Sequence, residues 1–130
     1  MNILYSITAH EESQSVLDLC YNLFNVGNAS YIIIHINRIA DDIYMELQKL
    51  LSEDMNFKKR IFLNPERSDT SKNQYTLHLA HLSNYNLSIA LKLEYDYFIL
   101  EASNSLFVKK GVLERIKKYD IGIGRWKVNV

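Results

Sequence analysis

The residues of this chain with the capacity for chemistry collect where apolar runs end. Tyr95-Asp96-Tyr97-Phe98-Ile99-Leu100 breaks into Glu101-Ala102-Ser103-Asn104, Ile3-Leu4-Tyr5-Ser6-Ile7-Thr8 into Ala9-His10-Glu11, and Ile32-Ile33-Ile34-His35-Ile36 into Asn37-Arg38. Carboxylate, hydroxyl, amide and imidazole groups at such points can hydrogen-bond a polar ligand, and Glu101, Ser103 and Asn104 offer oxygen atoms to a divalent cation. One carboxylate with neutral partners is a poor set for magnesium or manganese, so a metal-independent site is the expectation. Ser103 and Asn104 are equally suited to turning the chain and capping a following helix.

His78 and His81 stand three apart on a helical pattern and so near one face, yet no Cys or carboxylate at matching spacing completes a zinc site. His10 and His35 lie at or near strand ends, where a ligand contact and a ring satisfied by backbone are both open. The turn Ala9-His10-Glu11-Glu12 leaves no Gly-rich phosphate loop, and no Ser sits in a Gly-x-Ser-x-Gly elbow. Leu63 is followed by Asn64-Pro65, without the Asp that a receiver domain needs there.

Such residues need a scaffold, and the chain supplies an alternation of strands and helices. Residues 3–8 read as a first strand, Ser13 as the cap of a helix carrying Val16, Leu17, Leu19, Cys20, Leu23 and Phe24, and Gly27 as its stop. Residues 31–36 have a continuous apolar character broken only at His35, which implies a strand buried on both faces of a parallel sheet. Asp41-Asp42 open a helix with Ile43, Met45, Leu47, Leu50 and Leu51, and residues 60–63 form a short third strand after the solvated basic turn Lys58-Lys59-Arg60. The polar stretch 64–73 holds the only Pro and reads as a loop. A long helix over 75–93 carries Leu77, Leu79, Ala80, Leu82, Leu87, Ile89, Ala90, Leu91 and Leu93. The strand at 95–100 follows, with Tyr95, Tyr97 and Phe98 packing in the core; then an amphipathic helix over 108–119 and a fifth strand beginning within 121–126. Right-handed crossovers turn this order into an α/β, Rossmann-like, mostly parallel sheet of four to five strands with helices on both faces.

A chain of 130 residues suits one domain, 1–130. Fifteen basic against fifteen acidic side chains exclude the phosphate-neutralising surface of a general nucleic-acid binder. The lone Cys20 reads as a core hydrophobe rather than a reactive thiol, and the lack of a disulfide framework points to a reducing compartment. The apolar start is short and lacks preceding basic residues, and no run approaches the roughly 20 residues of a membrane span, so a cytoplasmic location is expected.

Taken in order, residues 3–11, 32–37, Leu82-Ser83-Asn84, 95–100 and Ser103-Asn104-Ser105-Leu106-Phe107 resemble the nucleotide-sugar-binding half of a GT-A glycosyltransferase, especially the bacterial relatives of the branching N-acetylglucosaminyltransferases. The resemblance spans nearly the whole chain and lies in order and spacing. It implies a UDP-sugar donor across the carboxyl ends of the first, second and fourth strands, and a glycan acceptor. Ala9, His10 and Glu11 would border the nucleobase, His35, Asn37 and Arg38 the ribose or base, and Tyr75 and His78 would lie towards the diphosphate or sugar. Glu101, Ser103 and Asn104 would occupy the place of the family's Asp-x-Asp metal motif; Glu-Ala-Ser-Asn departs from that motif and is more similar to the metal-independent branch. The family's acceptor site and general base normally come after the point where this sequence stops, so both a piece of a longer enzyme and a domain that binds a donor without catalysing are open. The competing expectation is a non-catalytic Rossmann-like interaction module that forms a homodimer through a free edge strand or residues 121–130.

Overall fold

The computed structural model describes residues 1–10, 12–54, 59–102 and 125–127. Glu11, Ser103, Asn104, the helix expected over 108–119 and the first part of the expected fifth strand lie outside the described residues.

Among the described residues, eight elements follow in order: β1 (Ile3–Ala9), α1 (Ser13–Asn25), β2 (Tyr31–Ile36), α2 (Asp41–Glu53), β3 (Ile61–Leu63), α3 (Gln74–Ala90), β4 (Tyr97–Ala102) and β5 (Arg125–Lys127). The strands form one sheet in the order β3-β2-β1-β4-β5. The first four run parallel and β5 runs antiparallel to β4. This is an α/β, Rossmann-like fold. Because the chain moves outward from β1 through β2 to β3 and then returns to β4 on the other side of β1, the strand order reverses between β1 and β4. Doubly wound sheets open a ligand crevice at the carboxyl ends of such strands.

Apolar alternation explains why the sheet is covered twice. Ile3, Tyr5, Ile7, Ile32, Ile34, Ile36 and Tyr97 face Val16, Leu19, Cys20 and Leu23 of α1 and Leu47 of α2. Leu4, Ile33 and Phe98 face the opposite way, towards Tyr85 and Leu87 of α3. Each fully buried Leu, Ile or Phe contributes roughly 1.5–3 kcal/mol, so β1 and β2, apolar on both faces, anchor the domain. Cys20 belongs to this core, where burial pushes its thiol up to about 12 and keeps it inert.

Three local expectations change. Glu12, not Ser13, is the N-cap of α1, and it makes no side-chain cap bond; Ser13 is instead a buried first helical residue. Met45 of α2 is 68% exposed, because the helix turns Leu47 inward with Ile43 and Leu51 alongside. Arg60 is exposed in its turn, as expected, and is also anchored there: its Nε and Nη2 donate to the carbonyls of Ser30 and Ala29, and its guanidinium sits 4.1 Å from the centre of the Phe24 ring.

The third change concerns α3, which buries Ala80, Asn84 and Ser88 and leaves Leu79, Leu82 and Ile89 exposed. The inward ridge is polar because its partners are polar. Asn84 Nδ2 donates to Ser6 Oγ at 2.8 Å, Asn64 Nδ2 donates to Asn84 Oδ1 at 2.9 Å, and Ser88 Oγ lies 2.7 Å from Tyr95 Oη. A buried amide without such partners would cost more than burial of an alternative leucine returns.

Candidate ligand-binding site

Beyond the carboxyl ends of β1 and β2 lies a cleft of about 620 Å³, lined by His10, Asn37, Ile39, Ala40, Asp42, Ile43, Thr70, Ser71 and Leu77. Its volume is that of a small-molecule site, and its lining is mixed in the usual way: apolar walls with a few convergent polar groups.

One wall is the turn from β2 into α2. Asn37 is buried; its N–H donates to the Ala9 carbonyl at 2.9 Å, its own carbonyl accepts from Ala40, and its Oδ1 accepts from the N–H of Ile39 at 3.2 Å. These bonds fold residues 37–40 into a tight bend that ties β2 back to β1. Asp41 and Asp42 then stand in the first turn of α2, where negative charge complements the helix N-terminus.

The other wall comes from the loop 64–73. Asp69 Oδ1 accepts from Ser71 N–H at 2.9 Å and Ser71 Oγ at 2.5 Å, and those bonds hold the Asp69 carboxyl below the usual carboxylate range. The loop ends in a capping box: Asn73 Oδ1 accepts from Thr76 N–H at 3.1 Å while Thr76 Oγ1 accepts from Asn73 N–H at 3.4 Å. This places Leu77, in the first turns of α3, over the cleft.

His35 supports both walls from below. It is in phase with Ile33 and therefore on the α3 face of the sheet, 1% exposed, with Nε2 accepting from the Ser68 backbone N–H at 3.1 Å. Its pKa is lowered by burial first and then by the charge of Arg67. A second imidazole follows on the same face: His81 Nδ1 lies 2.7 Å from Ser6 Oγ, and burial, with the nearby His78 and His35, pulls it down to about 4.

Among the site residues expected from sequence, His10 and Asn37 line the cleft together. Ala9 is buried and contributes its carbonyl to Asn37. The Arg38 N–H donates to the Ser68 carbonyl at 3.1 Å, which joins the two walls. Tyr75 and His78 are exposed on α3 and Leu77 stands at the cleft instead. Glu101 is in phase with Tyr97 and Ile99, on the face covered by α1 and α2, and its charge helps to raise the pKa of buried Tyr5, after burial itself. It therefore does not share a face with His35. Among the described residues, no group of three or more His, Cys, Asp or Glu side chains converges as a metal site requires. No helix among them is long and apolar enough to cross a membrane.

Sequence reasoning passed over Arg67, Ser68, Thr70 and Ser71, all within the stretch read as a polar connection. The available signal was a single Arg amid hydroxyl and acidic residues directly after a strand, in a loop too long for a simple turn.

No protein-family model matches the chain. Over 98 residues, 74% of its length, the chain is 35% identical to the chondroitin synthase of Pasteurella multocida (strain Pm70), and over 98 residues 34% identical to the hyaluronan synthase of Pasteurella multocida. Each match covers 10% of the relative, so the chain spans about a tenth of the length of the curated relatives it matches. Among solved structures, the 4-diphosphocytidyl-2C-methyl-D-erythritol synthase of Anaerococcus prevotii DSM 20548 matches with a TM-score of 0.53 over 90% of this chain and 50% of that one. At 15% identity the likeness is one of fold.

Proposed function

We propose that this chain is a GT-A-like, donor-binding domain of a glycosyltransferase, holding a UDP-sugar for transfer to a glycan acceptor. The observation that carries the reading is a cleft at the carboxyl ends of β1 and β2 in a chain about one-third identical to a segment of chondroitin synthase. The finer resemblance to the branching N-acetylglucosaminyltransferases remains part of the proposal, supported by the strand-end segments alone.

The lining of the cleft suits the uridine end of such a donor. Ile39, Ala40, Ile43 and Leu77 offer apolar surface to a flat base, while Asn37, Thr70 and Ser71 offer amide and hydroxyl groups. Among the described lining residues His10 is the one with a basic side chain, so the diphosphate would run past it towards the β1–β4 switch point, at the end of the strand that carries Glu101. Transfer also needs a base for the acceptor hydroxyl and stabilisation of the leaving diphosphate. Binding without a metal, in a cytoplasmic setting, completes the proposal; the single buried thiol is in keeping with a reducing compartment.

Calorimetric titration with UDP and several UDP-sugars, with and without manganese, tests this reading. Saturable binding that manganese does not change is the expected result; no binding by any of them at millimolar concentration would overturn it. A second reading, an interaction module, is favoured by the outward face of α3, where Tyr75 is 68% and Ile89 58% exposed. A tight dimer in sedimentation, indifferent to nucleotides, would select it.

A further inference from the structure

Arg67 is not among the residues that line the cleft, yet it touches the structure on which one wall is built. Its Nε donates to the Ile36 carbonyl at 3.2 Å, and its Nη2 donates to the carbonyls of Asn37 at 3.0 Å and Arg38 at 3.2 Å. Nη1 meets Asp41 Oδ1 at 2.9 Å, and the guanidinium carbon lies 4.3 Å from the centre of the Tyr44 ring. Three successive carbonyls at the end of β2, one carboxylate and one aromatic face thus surround a side chain that is only 12% exposed. A cation so nearly buried is tolerated because its donors are matched; removing its partners would leave a desolvated charge.

The opposite wall begins at the next residue. Ser68 donates its N–H to His35 Nε2 and accepts the N–H of Arg38, and Thr70 and Ser71 follow within the same loop. We propose that Arg67 is the positioning residue of the cleft, fixing the spacing between the wall of Asn37, Ile39 and Asp42 and the wall of Thr70 and Ser71. The consequence for a nucleotide ligand rests on the donor reading above. A planar fork with several fixed donors suits converging carbonyls, whereas an ammonium matches only part of the charge and little of the geometry.

Arg67→Met and Arg67→Lys, compared with the parent protein by NMR and by titration with UDP, provide the test. In Arg67→Met the amides of Arg38 and Ser68 exchange about tenfold faster while those of Tyr5 and Ile7 in β1 keep their protection, which separates a local release from general unfolding. The His35 ring titrates at higher pH, because a nearby positive charge has gone, and UDP binds about tenfold more weakly. Arg67→Lys restores the His35 titration and not the amide protection or the UDP affinity. Unchanged exchange at Arg38 and Ser68 overturns the proposal, as does UDP affinity within about twofold of the parent. A parent protein that binds no UDP overturns the donor reading, and the exchange and His35 measurements still decide the part played by Arg67. If Arg67→Met fails to fold, Arg67→Lys decides by the same amides.

Discussion

His35 Nε2 accepts the backbone N–H of Ser68 at 3.1 Å, so β2 is tied to the loop 64–73 by an imidazole unprotonated at that nitrogen. The neutral ring then carries its proton on Nδ1, a buried atom with no hydrogen-bond partner among the described residues. Two opposing contributions meet in one side chain: a bond that orders the cleft and a donor left unsatisfied. For His35→Phe we expect the Ser68 amide to exchange about tenfold faster while global stability falls by no more than about 1 kcal/mol, since removal of the orphaned donor offsets the lost bond. Hydrogen exchange and urea unfolding measure the two effects. A loss above about 3 kcal/mol would show that Nδ1 contributes a bond of its own.

Acid should weaken the α3 face selectively. Ser6 Oγ accepts from Asn84, which leaves its one proton for His81 Nδ1 and keeps that ring neutral. In the unfolded chain a histidine titrates near 6.5, whereas folded His81 holds out to about 4 and His35 is also lowered. The unfolded state therefore takes up protons first as pH falls. Stability is level above about pH 6.5 and declines towards pH 4, with His81 alone accounting for roughly 2 kcal/mol by pH 5. Urea titrations at pH 7.5, 6 and 5 measure the slope, and His81→Gln should flatten it. Equal unfolding free energies at pH 7.5 and 5 would contradict the burial of both rings.

Periodicity made β1, β2 and α2 legible, because their inward residues are mostly apolar and their signals are local. Residues 31–36 form the second strand as read. The cleft was partly legible for the same reason: His10 and Asn37, which line it, sit where apolar runs stop, and strand ends are where a parallel sheet opens. What sequence spacing did not reveal depends on contacts between distant segments. Leu79, Leu82 and Ile89 look like core, but the inward ridge of α3 is chosen by Ser6, 78 positions from Asn84, and by Asn64, 20 positions away. Arg67 likewise acquires its role only once β3 lies beside β2 and brings the loop against the Ile36, Asn37 and Arg38 carbonyls.

Substitution along α3 should report that rotation directly. Asn84→Leu removes the acceptor of Asn64 Nδ2 and the donor to Ser6 Oγ, leaving two buried groups short of a partner. A loss of about 2–4 kcal/mol is expected. Leu82→Gln alters a side chain that is 45% exposed and should change stability by about 0.5 kcal/mol or less. Chemical denaturation of both variants decides the matter; a larger loss at Leu82 than at Asn84 would mean the helix is turned the other way.

The end of α3 offers a stabilising change. The apolar pattern, which runs on through Leu91 and Leu93, extended this helix to Leu93, yet it stops at Ala90. Lys92 takes φ 57°, its N–H donates to the Ile89 carbonyl at 3.0 Å, and the Leu93 N–H donates to the Ser88 carbonyl at 3.1 Å. That pairing is a Schellman cap with a lysine in the left-handed position usually held by Gly. A side chain there costs roughly 1 kcal/mol, part of which Gly would lose again through greater freedom in the unfolded chain. Lys92→Gly should therefore raise stability by about 0.5–1 kcal/mol without touching the cleft, since Leu77 lies near the other end of the helix. Thermal unfolding of this variant beside Lys92→Ala measures the gain, and a less stable glycine variant would show that the positive φ carries no strain.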